Sequence, residues 1–234
     1  MEDRMQTNQS KKNKRISIGI IPGHYATNHS HVNFYVDMTA VKTSMKTAKA
    51  AAEELAAEFN NTYVDTVICL EGTEILGAFF AEALAQGGIN QNKDINVITP
   101  EMNAVNQMLF RDNTQKMIWN KRVLVLISSA STGKSINRAI ECLQYYSGEL
   151  VGIGAIFSAI DTVQGIEVKS IFTDGDLPKY DNFAPNSCPL CKQGIKVDAL
   201  INSFGYSNAM FNGKRAKVLW FSYFRPPKSL ESAR

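Results

Sequence analysis

Ser131, Thr132, Gly133, Lys134 and Ser135 bring together three hydroxyls, a position without a side chain and a cation. Such a run binds phosphate when it opens a helix. The first turn leaves backbone N–H groups unpaired at the positive end of the helix dipole, Gly133 allows close approach, and Lys134 adds charge. The flanking residues predict that setting. Residues 123–127 are an unbroken apolar run with β-branched members, too short for a helix and suited to a central strand covered on both faces. Beyond the loop, Ile136, Ala139, Ile140 and Leu143 recur at the spacing of one helical face, with Ser131 or Thr132 available as the cap. An ordinary strand-to-helix turn would explain the hydroxyl residues, but not the added Gly-Lys pair.

The triphosphate-binding loop needs Gly, four residues, then Gly-Lys-Ser/Thr, and counting back from Gly133 puts Ser128 where the first Gly belongs. A second motif fits better. Residues 131–135 resemble the phosphate-binding half of the ribose-phosphate loop of type I phosphoribosyltransferases, in which an apolar strand ends in two acids ahead of Thr-Thr-Gly-Gly. Ile127 and Ser128 fall on the acidic pair, so the motif is degenerate.

Further segments resemble the orotate branch of that family, in the same order. Residues 33–37, Asn-Phe-Tyr-Val-Asp, are similar to its early Tyr-Tyr-Ile-Asp strand, and a long helix with Met45, Ala48, Ala52, Leu55 and Phe59 on one face follows. Residues 64–70 read as a strand, Glu71, Gly72, Thr73 and Glu74 stand at the pyrophosphate loop, and 75–84 read as a helix. Residues 149–157 resemble the next parallel strand, so the resemblance spans residues 30–173.

The resemblance implies an α/β fold with a mostly parallel central sheet flanked by helices, extended by a small C-terminal Cys-x-x-Cys segment. It implies transfer of a 5-phosphoribosyl group from phosphoribosyl pyrophosphate to a nitrogen base of orotate type, with Mg²⁺, in a homodimer. Residues 131–135 would grip the 5′-phosphate, Ile127 and Ser128 would face the ribose, and residues 71–74 the pyrophosphate. Three departures from the pattern stand out, and the first favours the alternative of a non-catalytic regulator that binds phosphoribosyl pyrophosphate or a nucleoside monophosphate. The strand-end acids are lost. The loop between Thr99 and Lys121 has no His and offers Arg111 and Lys116 as its cations. Asp161-Thr162 replaces an Asp-Arg pair. Tyr35, Arg111 and Asp161 remain candidates for substrate contact. Glu71 and Glu74 could share Mg²⁺ with substrate phosphates, or Glu74 could serve the helix dipole while Glu71 is solvated.

His24, His29 and His31 all lie within residues 22–31, and His29 and His31 share a side if the segment is extended. The stretch reads as a metal site, as substrate or phosphate contact through His29, Ser30 or His31, or as a plain polar loop. Residues 174–187 are rich in turn formers and lead into Cys188-Pro189-Leu190-Cys191, half of a zinc knuckle. Cys69 and Cys142 sit in predicted core elements, so the missing ligands of a Zn²⁺ site would be His or come from a second subunit; a redox pair or reduced thiols are the other readings. A short helix is predicted over 196–204, and the aromatic run 218–224 ahead of Pro226-Pro227 must cover something apolar.

Composition sets the frame. A chain of 234 residues, 44% hydrophobic, can build one α/β domain with a substantial core. No apolar run reaches membrane-span length and the N-terminus lacks an apolar signal region, so a cytoplasmic protein is expected. Arg4, Lys11, Lys12, Lys14 and Arg15 against Glu2 and Asp3 account for the whole net charge of +3. The rest is balanced, which speaks against nucleic acid as a partner. The expected organisation is a disordered basic tail over 1–15, the α/β domain over 16–173 and the extension over 174–234.

Overall fold

A computed structural model describes residues 1–103 and 107–208, and the backbone of 210–211 and 214–215. The chain begins with β1 (Gln6–Gln9), β2 (Ser17–Ala26) and β3 (His31–Asp37), then α1 (Thr39–Thr43) and α2 (Met45–Ala56). Next come β4 (Thr66–Cys69), α3 (Glu74–Ala85), β5 (Asn96–Ile98), the two-residue strands β6 (Glu101–Met102) and β7 (Met108–Leu109), and α4 (Asp112–Gln115). β8 (Arg122–Ala130), α5 (Lys134–Tyr145), β9 (Glu149–Ser158), β10 (Thr162–Val163) and β11 (Ile166–Thr173) complete the α/β unit. β12 (Asn182–Phe183), α6 (Pro189–Lys192), β13 (Ala199–Asn202) and β14 (Gly205–Asn208) follow.

The central sheet has the order β10-β11-β9-β8-β4-β5 and is parallel throughout except for the edge strand β10. β8 explains why an apolar run was needed there. Its side chains alternate, Leu124 and Leu126 joining Leu55, Phe59, Leu76, Phe80 and Leu84 from the α2–α3 side. Val123, Val125 and Ile127 join Ile136, Ala139, Ile140 and Leu143 of α5 on the other. A strand covered on both faces has no position for a polar residue until it emerges at its C-terminal end, and there the serines begin. The helical face expected from Met45 starts one turn later, because Met45 is exposed and Ala48 is the first buried residue of α2.

A second, mostly antiparallel sheet, β12-β3-β2-β13-β14 with β1 also on β2, stands over the C-terminal ends of the parallel strands. It bears on three sequence expectations. The basic N-terminal stretch is not a disordered tail: residues 6–9 pair with residues 17–20 of β2, and Lys11 and Lys12 are ion-paired to Asp176 and Glu58. The extension after residue 173 is built into this sheet, since β12 pairs with β3 and β13 with β2. The helix expected over 196–204 is instead the β13–β14 hairpin, because Ala199 pairs with Tyr25, completely buried beneath it. The aromatic run 218–224 lies outside the described residues. No helix among the described residues is long and apolar enough to cross a membrane.

Candidate functional site

The strand-loop-helix at 122–145 forms as its apolar pattern requires, with one local correction. Neither Ser131 nor Thr132 caps α5; the capping position is Gly133, in the left-handed conformation at φ 70°, and among the described residues no side-chain cap bonds to the helix start. A Cβ there would also stand 3.1 Å from Val163 Cγ2 and 3.3 Å from Ile160 Cδ1. The first-turn N–H groups thus remain available to a ligand.

The neighbouring parallel strand β4 delivers an acid to the same place. At its end Glu71 and Gly72 both adopt positive φ, 60° and 77°. That conformation is uncommon for Glu and reverses the chain sharply. The turn aims the Glu71 carboxylate at the cradle, where it accepts hydrogen bonds from the Ser128 hydroxyl at Oε2 and the Ser135 hydroxyl at Oε1, each 3.0 Å. Burial raises its pKa above the ordinary 4.5, against the opposing pull of the two serine hydroxyls, the Ser129 backbone and Lys42. Glu71 is therefore not the solvated acid that the bland alternative predicted. Thr73 does not face a ligand: its completely buried hydroxyl lies 2.9 Å from the Leu70 carbonyl and 3.2 Å from that of Leu126.

Between the two sheets lies a cleft of about 500 Å³. It is bordered by residues 127–135, Glu71, Gly72, Glu74, His29, Ser30 and Tyr35, so most of the expected site converges. Ile127 reaches it only at its edge, with a side chain in the core under α5, and Ser128 is completely buried against Glu71. Both nevertheless line the cleft, and neither carries the carboxylate that the motif has at its position. Arg111 is turned away from the cleft and holds Glu101 at 2.6 and 3.0 Å. Asp161 and His31 do not border the cleft either. His31 instead joins His24, Cys188 and Cys191 behind the 27–30 loop.

Four participants were not read from the sequence. Lys42 enters the cleft from α1 and donates to the Ser203 carbonyl at 2.5 Å; burial pulls its pKa down. Arg138 borders the cleft one helical turn after Lys134, a spacing that could have revealed it. The Tyr180 hydroxyl lies 3.3 Å from Ser131 Oγ. Phe204, 81% exposed, overhangs the opening. Among the described residues, three cations, Lys42, Lys134 and Arg138, thus face two carboxylates, Glu71 and Glu74, a balance suited to a polyanionic ligand.

No family model matches the chain. Among characterised proteins it is 25% identical over 185 residues to an orotate phosphoribosyltransferase of Chlorobium phaeobacteroides, covering 77% of this chain and 88% of the relative. The corresponding protein of Desulforamulus reducens is 25% identical over 178 residues, 75% of this chain and 86% of that one. Among solved structures, an orotate phosphoribosyltransferase of Mycobacterium tuberculosis aligns with a TM-score of 0.48 at 17% identity, over 68% of this chain and 91% of that one. The chain is thus similar to the type I phosphoribosyltransferases, on the orotate side of that family, with a degenerate ribose-phosphate motif.

Proposed function

We propose that the protein transfers a 5-phosphoribosyl group from phosphoribosyl pyrophosphate to a nitrogen base, with orotate the base to which the similarity points. The observation that carries this reading is the Glu71 carboxylate, held against Ser128 and Ser135 at the strand end where the motif alignment has lost its acids. The acid missing from β8 is supplied by β4. In this reading, the free N–H groups of α5 and Lys134 hold the 5′-phosphate, while Lys42 and Arg138 balance the charge of the pyrophosphate. Glu71 accepts from ribose hydroxyls with the strength of a charge-assisted hydrogen bond.

Transfer breaks the bond between ribose C1 and a pyrophosphate oxygen, whose electron pair leaves with the pyrophosphate. The base nitrogen supplies the pair for the new bond. Glu71 and Glu74 offer the oxygen ligands that Mg²⁺ prefers, and Mg²⁺ bound there would neutralise charge on the departing pyrophosphate.

Calorimetric titration with phosphoribosyl pyrophosphate and Mg²⁺, combined with pyrophosphate release assayed over orotate and other pyrimidine and purine bases, tests the proposal. Saturable binding and turnover with one base are expected. Arg111, exposed and paired with Glu101 at 2.6 Å outside the cleft, favours a second reading as a non-catalytic regulator. Binding with no turnover on any base would select it, and failure to bind would sink both. Sedimentation of the same samples checks the homodimer.

A further inference from the structure

We propose that His24, His31, Cys188 and Cys191 form a structural Zn²⁺ site that clamps the C-terminal segment onto the β2–β3 hairpin. One ligand atom from each of the four lies within 4.8 Å of all the others. His24 Nε2 and His31 Nδ1 are 3.0 Å apart; Cys188 Sγ and Cys191 Sγ each lie 3.6 Å from His24 Nε2, and Cys191 Sγ lies 3.3 Å from His31 Nδ1. A tetrahedral zinc with Zn–N of about 2.0–2.1 Å and Zn–S of about 2.3 Å separates its ligand atoms by roughly 3.3–3.8 Å. The three nitrogen–sulfur separations, 3.3–3.6 Å, fall in this range, and the two imidazole nitrogens, at 3.0 Å, stand slightly closer than a bound ion would hold them.

The hydrogen bonding around it favours a cation at its centre. His24 Nδ1 donates to the Ile195 carbonyl at 2.8 Å, which leaves Nε2 with a bare lone pair aimed at the cluster. The neighbours of that lone pair are a second imidazole nitrogen and two sulfurs, all of them able to ligate. Two His and two Cys suit zinc, and four protein ligands complete its coordination, so the role is structural. The sequence supplied the Cys-x-x-Cys half. The β2–β3 hairpin supplies the other half, with His24 completely buried and His31 partly so. His29 points elsewhere, toward the cleft.

The position gives the metal a task. The hairpin turn at residues 27–30 and the segment 201–205 both border the cleft, and the cluster lies where their two supporting elements meet. The clamp fixes two walls of the ligand site without touching the ligand. It is independent of the reading of the cleft as a transferase site.

The full chain, purified under reducing conditions without added metal, is assayed for zinc by plasma mass spectrometry and, after exchange, for the visible spectrum of its Co²⁺ form. One zinc per chain is expected, together with the intense d–d bands and thiolate charge transfer of tetrahedral cobalt. His24→Ala should lower the zinc content at least about tenfold, and His29→Ala should leave it unchanged. Because Cys191 is exposed, Cys191→Ser buries no new polar group and serves if the buried variants do not fold; it should lose the thiolate band in proportion. Folded wild-type protein holding well below one zinc per chain, or Cys191→Ser with an unchanged cobalt spectrum, would overturn the proposal. Neither readout depends on transfer activity.

Discussion

Glu71 can be altered by a change that keeps its shape: Glu71→Gln removes the charge and leaves a hydrogen-bonding side chain. Two outcomes follow from its surroundings. Ligand contacts made by a carboxylate contribute about 1.5–3 kcal/mol against about 1 for neutral groups, so phosphoribosyl pyrophosphate should bind roughly tenfold more weakly, as calorimetry would measure. Stability should move the other way. Burial raises the pKa of Glu71 in the folded state above its ordinary 4.5, so the folded protein binds this proton more tightly than the unfolded chain does. The stability it contributes is complete below the unfolded value and is lost as pH rises through the folded value. The variant lacks that dependence. It should melt like the parent under acid conditions and increasingly above it as pH approaches neutrality, in differential scanning calorimetry across that window. A difference in melting temperature independent of pH would show that Glu71 does not titrate as described. The resemblance placed Glu71 in the loop after β4, which borders the cleft. Its inward aim was not legible, because it depends on a positive φ that Glu rarely adopts. Thr73 was misread for a related reason: a hydroxyl in a loop motif looks available, and only the packing reveals two buried carbonyls beside it.

At the scale of elements, β8 and α5 were legible because burial on both faces demands an apolar strand and one-sided packing demands a 3.6-residue period. What escaped was the junction between them. Hydroxyl residues ahead of a helix read as caps, yet the turn is made by a left-handed Gly133, and the hydroxyls are left to other partners. β13 was read as a helix because a short run with apolar Ala199, Leu200 and Ile201 carries no decisive period, and pairing with β2 decided the outcome. The junction is the place to test the element. Gly133→Val forces a β-branched residue into a conformation costing roughly 1–2 kcal/mol, and its Cβ meets Val163 and Ile160 within 3.3 Å. A fall in melting temperature of about 2–8 °C is expected from that cost. Binding of ribose 5-phosphate should be lost with it, since the first-turn N–H groups are displaced. Retained affinity in a variant confirmed to be folded would remove α5 from the phosphate site.

At the scale of the whole molecule, the N-terminal stretch ties the two sheets together, although its charge made it look like a tail. Arg4 holds Asp198 at 3.1 Å beside the β13 side of the upper sheet. β1 extends β2, and Lys11 reaches Asp176 just after β11 of the central sheet. Ser10, only 1% exposed, sets its hydroxyl 2.7 Å from a carboxylate oxygen of Glu54 on α2. Composition could not reveal this, because a four-residue polar strand has no periodic signal and gains its order from the edge of β2. The exposed ion pairs contribute little individually, so the stabilisation must come chiefly from strand pairing and from the half-buried Ser10–Glu54 hydrogen bond. Deletion of residues 1–15 should therefore lower stability by about 2–4 kcal/mol and the melting temperature by on the order of 10 °C. That deficit should persist in concentrated salt, which screens ion pairs but not backbone pairing. The truncation should also weaken ligand binding, because β2 leads directly into the hairpin turn that borders the cleft. Scanning calorimetry at low and high salt, with phosphoribosyl pyrophosphate titration alongside, separates the possibilities. An unchanged melting temperature would restore the disordered tail, and a deficit abolished by salt would shift the burden to the lysines. A deficit independent of salt and accompanied by weaker binding is the result expected of a strap that holds the upper sheet over its site.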